Sequence, residues 1–290
     1  MTDLPPSGPP PGPPQPPSSS PPPAPDRRPD GPAPRRGRGD DPPWPDTDAR
    51  HDAGDPDEAF RTGISLLAAF LILAWSILAQ VVVVAVAVAA GVDVDGLSGL
   101  ASIWLVVGMQ VLTLAGVLGW LRLTGRSAWR LLGPVRPRWR HVGFGIGLGA
   151  VGFLLVQVTA LVVVAAFPDS QAPSQALLEI EGGVATTIAV VVATMVMAPI
   201  VEETTYRAVL FQSARSRVGL VGGLVLSSLL FAFTHLEVLN SLPAVFGLLV
   251  LGLWLAAIFH RTGSLVVPVV AHATFNGITL LLASLVPTSL

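Results

Sequence analysis

Residues 184–213 read VATTIAVVVATMVMAPIVEETTYRAVLFQS. Only Glu202, Glu203 and Arg207 in this stretch are charged, and the rest is apolar or small. Its length is enough for a helix to cross the hydrocarbon core, which takes roughly 20 residues. An acid at the centre of such a helix costs roughly 2.5–3.5 kcal/mol on insertion scales. A chain keeps such groups when a partner neutralises them or when chemistry needs them.

Outward from this stretch the same pattern repeats. From residue 62 onward, apolar spans fall at 64–90, 101–121, 142–167, 184–213, 218–237, 241–259 and 264–286. Backbone groups in lipid need internal partners, so these spans are expected to be helices. The predicted fold class is an all-α integral membrane protein of about seven transmembrane helices around a buried polar cavity. Hydrophobic residues are 51% of the chain and charged residues 12%, which agrees with this class.

The region before the first span is of another kind. Twenty of the 28 prolines precede residue 57, mixed with Ser, Gly, Asp and Arg. Such a segment cannot bury enough surface to offset its ordering entropy. Residues 1–61 are expected to form a disordered, Pro-rich cytoplasmic tail, and residues 62–290 the polytopic domain. The tail opens with no apolar h-region, so it does not read as a secretory signal peptide.

Basic residues give the orientation. The loop at residues 91–100 has Asp93 and Asp95 and no arginine, whereas the next has Arg122, Arg126, Arg130, Arg136, Arg138 and Arg140. The following loop, around Asp169, Glu179 and Glu181, has none; Arg215 and Arg217 then appear, and Arg261 marks the last inner turn. The positive-inside rule places the tail inside and the C-terminus outside. All 17 basic residues are arginine, and Ala, Val, Gly and Pro abound, so the expected setting is a bacterial plasma membrane. The arginines flank spans and form no nucleic-acid footprint. The chain has no cysteine, which excludes disulfides, thiolate metal sites and cysteine nucleophiles.

Polar residues inside the later spans point to chemistry. Glu203 and Arg207 are four apart in the acid-first order that favours an ion pair. Phe231 and His235 are four apart, as are His272 and Asn276. At 1.5 Å per residue, Glu202 lies about 20 Å, His235 roughly 24 Å, His272 roughly 12 Å and Asn276 roughly 18 Å from the inner helix ends. One buried pocket is compatible with that spread. Pro199 and Pro268 precede Glu202 and His272 by three and four residues, where a proline tends to kink a helix. Alone, Glu203–Arg207 reads as a structural pair, and a lone membrane histidine as an interhelical hydrogen-bond donor. Their coincidence is what suggests an active site.

These residues also carry a resemblance. Glu202-Glu203-Thr-Thr-Tyr-Arg207 resembles the EExxxR motif of the CAAX prenyl protease and bacteriocin-processing (CPBP) family. Phe231-Ala-Phe-Thr-His235 resembles its FxxxH motif, and His272-Ala-Thr-Phe-Asn276 its HxxxN motif. The resemblance covers about residues 140–286, the expected protease core. It implies an intramembrane endopeptidase acting on membrane-associated or leader-peptide substrates. Glu202 with His235 would activate a water, and His272 with Asn276 would stabilise the oxyanion. Glu203 and Arg207 would be the structural pair. The implied partners are a peptide or membrane-protein substrate and the bilayer.

The family has also been described as zinc metalloproteases, with Glu202, His235 and His272 as ligands. Zinc hydrolysis wants three ligands and an open position, which these could supply. No HExxH helix is present, and Asn276 has a clearer task without metal. The expectation is metal-free catalysis with no cofactor, and Zn²⁺ as the alternative. A proton-coupled transporter is the other reading, since buried Glu, His and Arg also make proton relays. No repeat relates the two halves of the chain, as many transporter folds would have it.

Overall fold

The computed structural model describes residues 63–94, 99–125, 133, 138–170, 183–235 and 240–285. The expected tail, 1–61, lies outside these residues, as do several charged loop residues used for orientation. The described residues are helical, with no strand among them. The helices are α1 (Leu66–Ala89), α2 (Leu100–Leu123), α3 (Arg140–Ala166), α4 (Val184–Val192), α5 (Ala198–Glu203), α6 (Gln212–Phe233), α7 (Leu242–Thr262) and α8 (Val266–Leu285). Two π-helical segments, Ala193–Met197 and Thr204–Phe211, join α4 to α5 and α5 to α6.

Among the described residues, six helical stretches are long and apolar enough to cross a membrane. Five coincide with expected spans to within three residues. The sixth, Val184–Phe233, merges two expected spans into 50 residues. A straight helix of that length would be about 75 Å, more than twice the hydrocarbon core. It is broken at Gly219, which has φ 74° and ψ 178°. A Cβ on Gly223 would lie 2.9 Å from the Arg215 backbone nitrogen. In a straight helix, residues eight apart would be separated by about 12 Å. The chain therefore doubles back at Gly219, where the positive φ suits glycine. The returning arm, residues 220–233, is about 21 Å long, short of a full crossing.

Burial separates the inner helix from the outer ones. Every residue from Glu203 to Arg215 is buried, so the motif-bearing stretch is the centre of the bundle. By contrast, α1, α2 and α3 expose Leu67, Leu71, Trp104, Leu154 and Leu161. An apolar surface of that extent belongs in lipid. The protein is an integral membrane protein.

Small residues set the closest contact. On α3, a Cβ on Gly149 would meet the Ala271 carbonyl oxygen at 2.4 Å, so α3 and α8 touch backbone to backbone there. Trp254 Nε1 donates to the Leu148 carbonyl at 3.0 Å and fixes α7 to the same helix. Close approach through glycine is how membrane helices gain packing without a hydrophobic drive. It seats α8, which carries His272, firmly in the bundle. Pro268 is the third residue of α8, inside the first turn, where a helix does not need the missing N–H. The helix continues through it without a break.

Candidate active site

Glu203, His272 and Arg207 form the buried base of the site. Glu203 is 0% exposed and Arg207 1%. Arg207 Nη1 lies 2.9 Å from Glu203 Oε1, the ion pair that the four-residue spacing implies. The guanidinium sits 4.5 Å from the Phe231 ring centroid, and its Nη2 approaches the Gly252 carbonyl at 3.4 Å. Glu203 Oε1 also accepts a hydrogen bond from His272 Nδ1 at 2.9 Å. This second contact spans 69 residues of sequence. It makes Glu203 the residue that orients one imidazole.

Above this base, three groups converge. Glu202 Oε2 lies 3.8 Å from His235 Nε2 and 3.8 Å from His272 Nε2. The other nitrogens of both rings are engaged: His235 Nδ1 donates to the Phe231 carbonyl at 2.7 Å, and His272 Nδ1 donates to Glu203. A carbonyl or carboxylate oxygen only accepts, so the Nδ1 atoms hold the protons. The Nε2 atom of each ring faces Glu202. Glu202 Oε2 is buried and has no hydrogen-bond partner among the described residues. Phe231, fully buried, packs tilted against His235 at 4.8 Å and edge-on against His272 at 6.0 Å between centroids.

Asn276 is placed differently. Its Nδ2 donates to the Thr194 carbonyl at 2.8 Å. Backbone accounting explains why. The Ala198 N–H turns to the Ala193 carbonyl, in π register. Pro199, next in line, has no N–H. The donors that would reach Thr194 in α or π register are therefore both missing, and the amide of Asn276 supplies one. Asn276→Ala is expected to lower thermal stability in detergent by about 1 kcal/mol, the lower end of the cost of an unsatisfied acceptor, because this contact is partly buried. Pro199→Ala restores a main-chain N–H and should recover part of that loss. Equal destabilisation with and without Pro199→Ala would contradict this account.

A cavity of about 250 Å³ opens beside Glu202 and His235. Its far wall comes from α1 and α2 through Gln80, Gln110 and Thr113, and Tyr206 and Thr234 close its near side. His272 and Asn276 do not line it. Sequence reading missed Gln110, Thr113 and Tyr206. For Tyr206 a signal existed: it is the chain's one tyrosine and lies inside the EExxxR motif. It hydrogen-bonds Thr234.

Whether the three converging groups suit a metal can be tested on their spacing. The donor types are right for zinc, the orphaned Glu202 oxygen faces both Nε2 atoms, and Glu203 on His272 Nδ1 is a typical outer-shell partner. Tetrahedral zinc with bonds of 2.0–2.1 Å places donor atoms about 3.4 Å apart, somewhat closer than these. As the side chains stand, no group of three or more His, Cys, Asp or Glu among the described residues is spaced to hold a metal ion. Small side-chain shifts would close the difference.

A family model described as type II CAAX prenyl endopeptidase Rce1-like matches residues 184–278. All seven defining residues of the three motifs fall inside it. No curated protein and no solved structure matches the chain.

Proposed function

We propose that the chain, which matches the type II CAAX prenyl endopeptidase Rce1-like family model over residues 184–278, is an intramembrane endopeptidase in which Glu202 and His235 activate a water. One observation carries the reading: Glu202 Oε2 and two imidazole Nε2 atoms converge, with separations of 3.8 Å, beside a cavity inside the bundle. Those separations exceed direct hydrogen bonding but suit a water held between the groups at about 2.8 Å from each. Glu202 takes the proton as the water oxygen attacks the peptide carbonyl. The same proton, relayed with His235, then reaches the leaving amine.

The developing oxyanion needs donors. His272 can donate from Nε2 only as the imidazolium, because its Nδ1–H already serves Glu203. Asn276 has one amide hydrogen on Thr194 and keeps a second for the oxyanion. Glu203 and Arg207 hold the base of the site. The substrates in this proposal are membrane-associated or leader peptides, met from the cytoplasmic side with the tail inside.

A zinc form of the same peptidase is the second reading, favoured by the two free Nε2 atoms. Glu202, His235 and His272 would hold the ion, which would acidify a bound water and polarise the carbonyl. Purified protein assayed on a peptide library, with and without chelator, separates the readings. Metal-free catalysis predicts unchanged cleavage after chelation and far less than one zinc per chain. Stoichiometric zinc, with activity lost to chelator and regained on zinc addition, would contradict it.

A further inference from the structure

The cavity beside Glu202 has a one-sided hydrogen-bonding character. Its hydroxyl protons are engaged by the protein. Ser76 Oγ donates to the Leu73 carbonyl at 2.6 Å, Thr113 Oγ1 to Met109 at 2.9 Å and Thr205 Oγ1 to Val201 at 2.9 Å. Thr234 Oγ1 lies 3.0 Å from Leu230 O and also shares a hydrogen bond with Tyr206 Oη, in which either hydroxyl can donate. A hydroxyl has one proton, so Ser76, Thr113 and Thr205 offer the cavity only lone pairs, and the Thr234–Tyr206 pair has at most one proton to spare.

Gln110 completes the pattern. Its Nε2 faces the Ala193 carbonyl at 3.5 Å, which turns Oε1 the other way. That Oε1 is buried without a hydrogen-bond partner among the described residues. The amide hydrogens of Gln80 and Gln110 temper a wall rich in acceptors. Such a wall repels carbonyl oxygens and receives N–H groups. A helix entering the site must unwind before its peptide bond can be attacked, and its freed N–H groups then need acceptors where water is scarce.

We infer that this wall is a subsite for the N–H edge of an unwound peptide segment, with Gln110 Oε1 accepting one main-chain N–H of the substrate. The inference rests on the peptidase reading and extends it to α1 and α2, outside the segment that the family model matches.

The test reads binding apart from turnover. The probe is the tightest-binding member of a fluorescent Leu/Ala transmembrane peptide library with four randomised central positions. Its ester analogues replace successive main-chain N–H groups by oxygen. Binding is measured by anisotropy on full-length Glu202→Gln protein. One ester should weaken binding about tenfold, the size of one hydrogen bond. Adding Gln110→Met should erase that penalty, and Gln110→Glu, which keeps an acceptor, should preserve it. Absence of an ester penalty at every position, or a penalty unchanged by Gln110→Met, would overturn the proposal. If wild-type protein leaves the bound probe uncut while the ester pattern holds, the subsite stands and the peptidase reading falls.

Discussion

Glu202→Gln is expected to abolish peptide cleavage while the bundle stays folded. The substitution keeps the shape of the side chain and removes its charge and basicity. Glu202 is about one-quarter exposed, and its Oε2 has no hydrogen-bond partner among the described residues, so no direct hydrogen bond is lost there. A lost general base costs up to about 10⁴ in rate. His235→Ala should be as damaging, and the double variant no worse than either single one, because residues acting as a unit are not additive. Thermal unfolding in detergent checks the fold, and turnover per mole of protein checks the chemistry. Retained turnover in Glu202→Gln would remove this residue from the mechanism.

The second large effect is on stability. Arg207→Ala should destabilise the protein by about 3–5 kcal/mol, because it strands the fully buried Glu203 carboxylate. That is a large fraction of an ordinary folding free energy. Adding Glu203→Gln removes the stranded charge and should restore much of the stability. It should not restore full turnover, because Glu203 also holds His272 Nδ1 at 2.9 Å. Unfolding midpoints and turnover measured on both variants separate the two tasks. An Arg207→Ala protein of unchanged stability and no turnover would assign the arginine to the chemical step instead.

The membrane helices were legible because apolar length is a direct signature of crossing lipid. The Glu203–Arg207 pair was legible because residues four apart share a helix face. Helix neighbours were not, because lipid-facing and core-facing positions are both apolar and no periodicity tells them apart. The contact between Glu203 and His272 was hidden for that reason, and so was the cavity wall from α1 and α2. The π-helical segments had Pro199 as their one signal, and it could not reveal that Asn276 supplies the Thr194 carbonyl with a donor. At residues 214–217, between two expected spans, the sequence suggested a loop, whereas the chain runs helical to Gly219 and reverses there.

The most direct test of a Glu202-based peptidase is cleavage of a transmembrane peptide library by the purified protein in ¹⁸O-labelled water, read by mass spectrometry. The account predicts new C-termini at defined bonds, each carrying ¹⁸O from the attacking water, with wild-type protein and none with Glu202→Gln. No new termini with wild-type protein, or the same termini with Glu202→Gln, would contradict it.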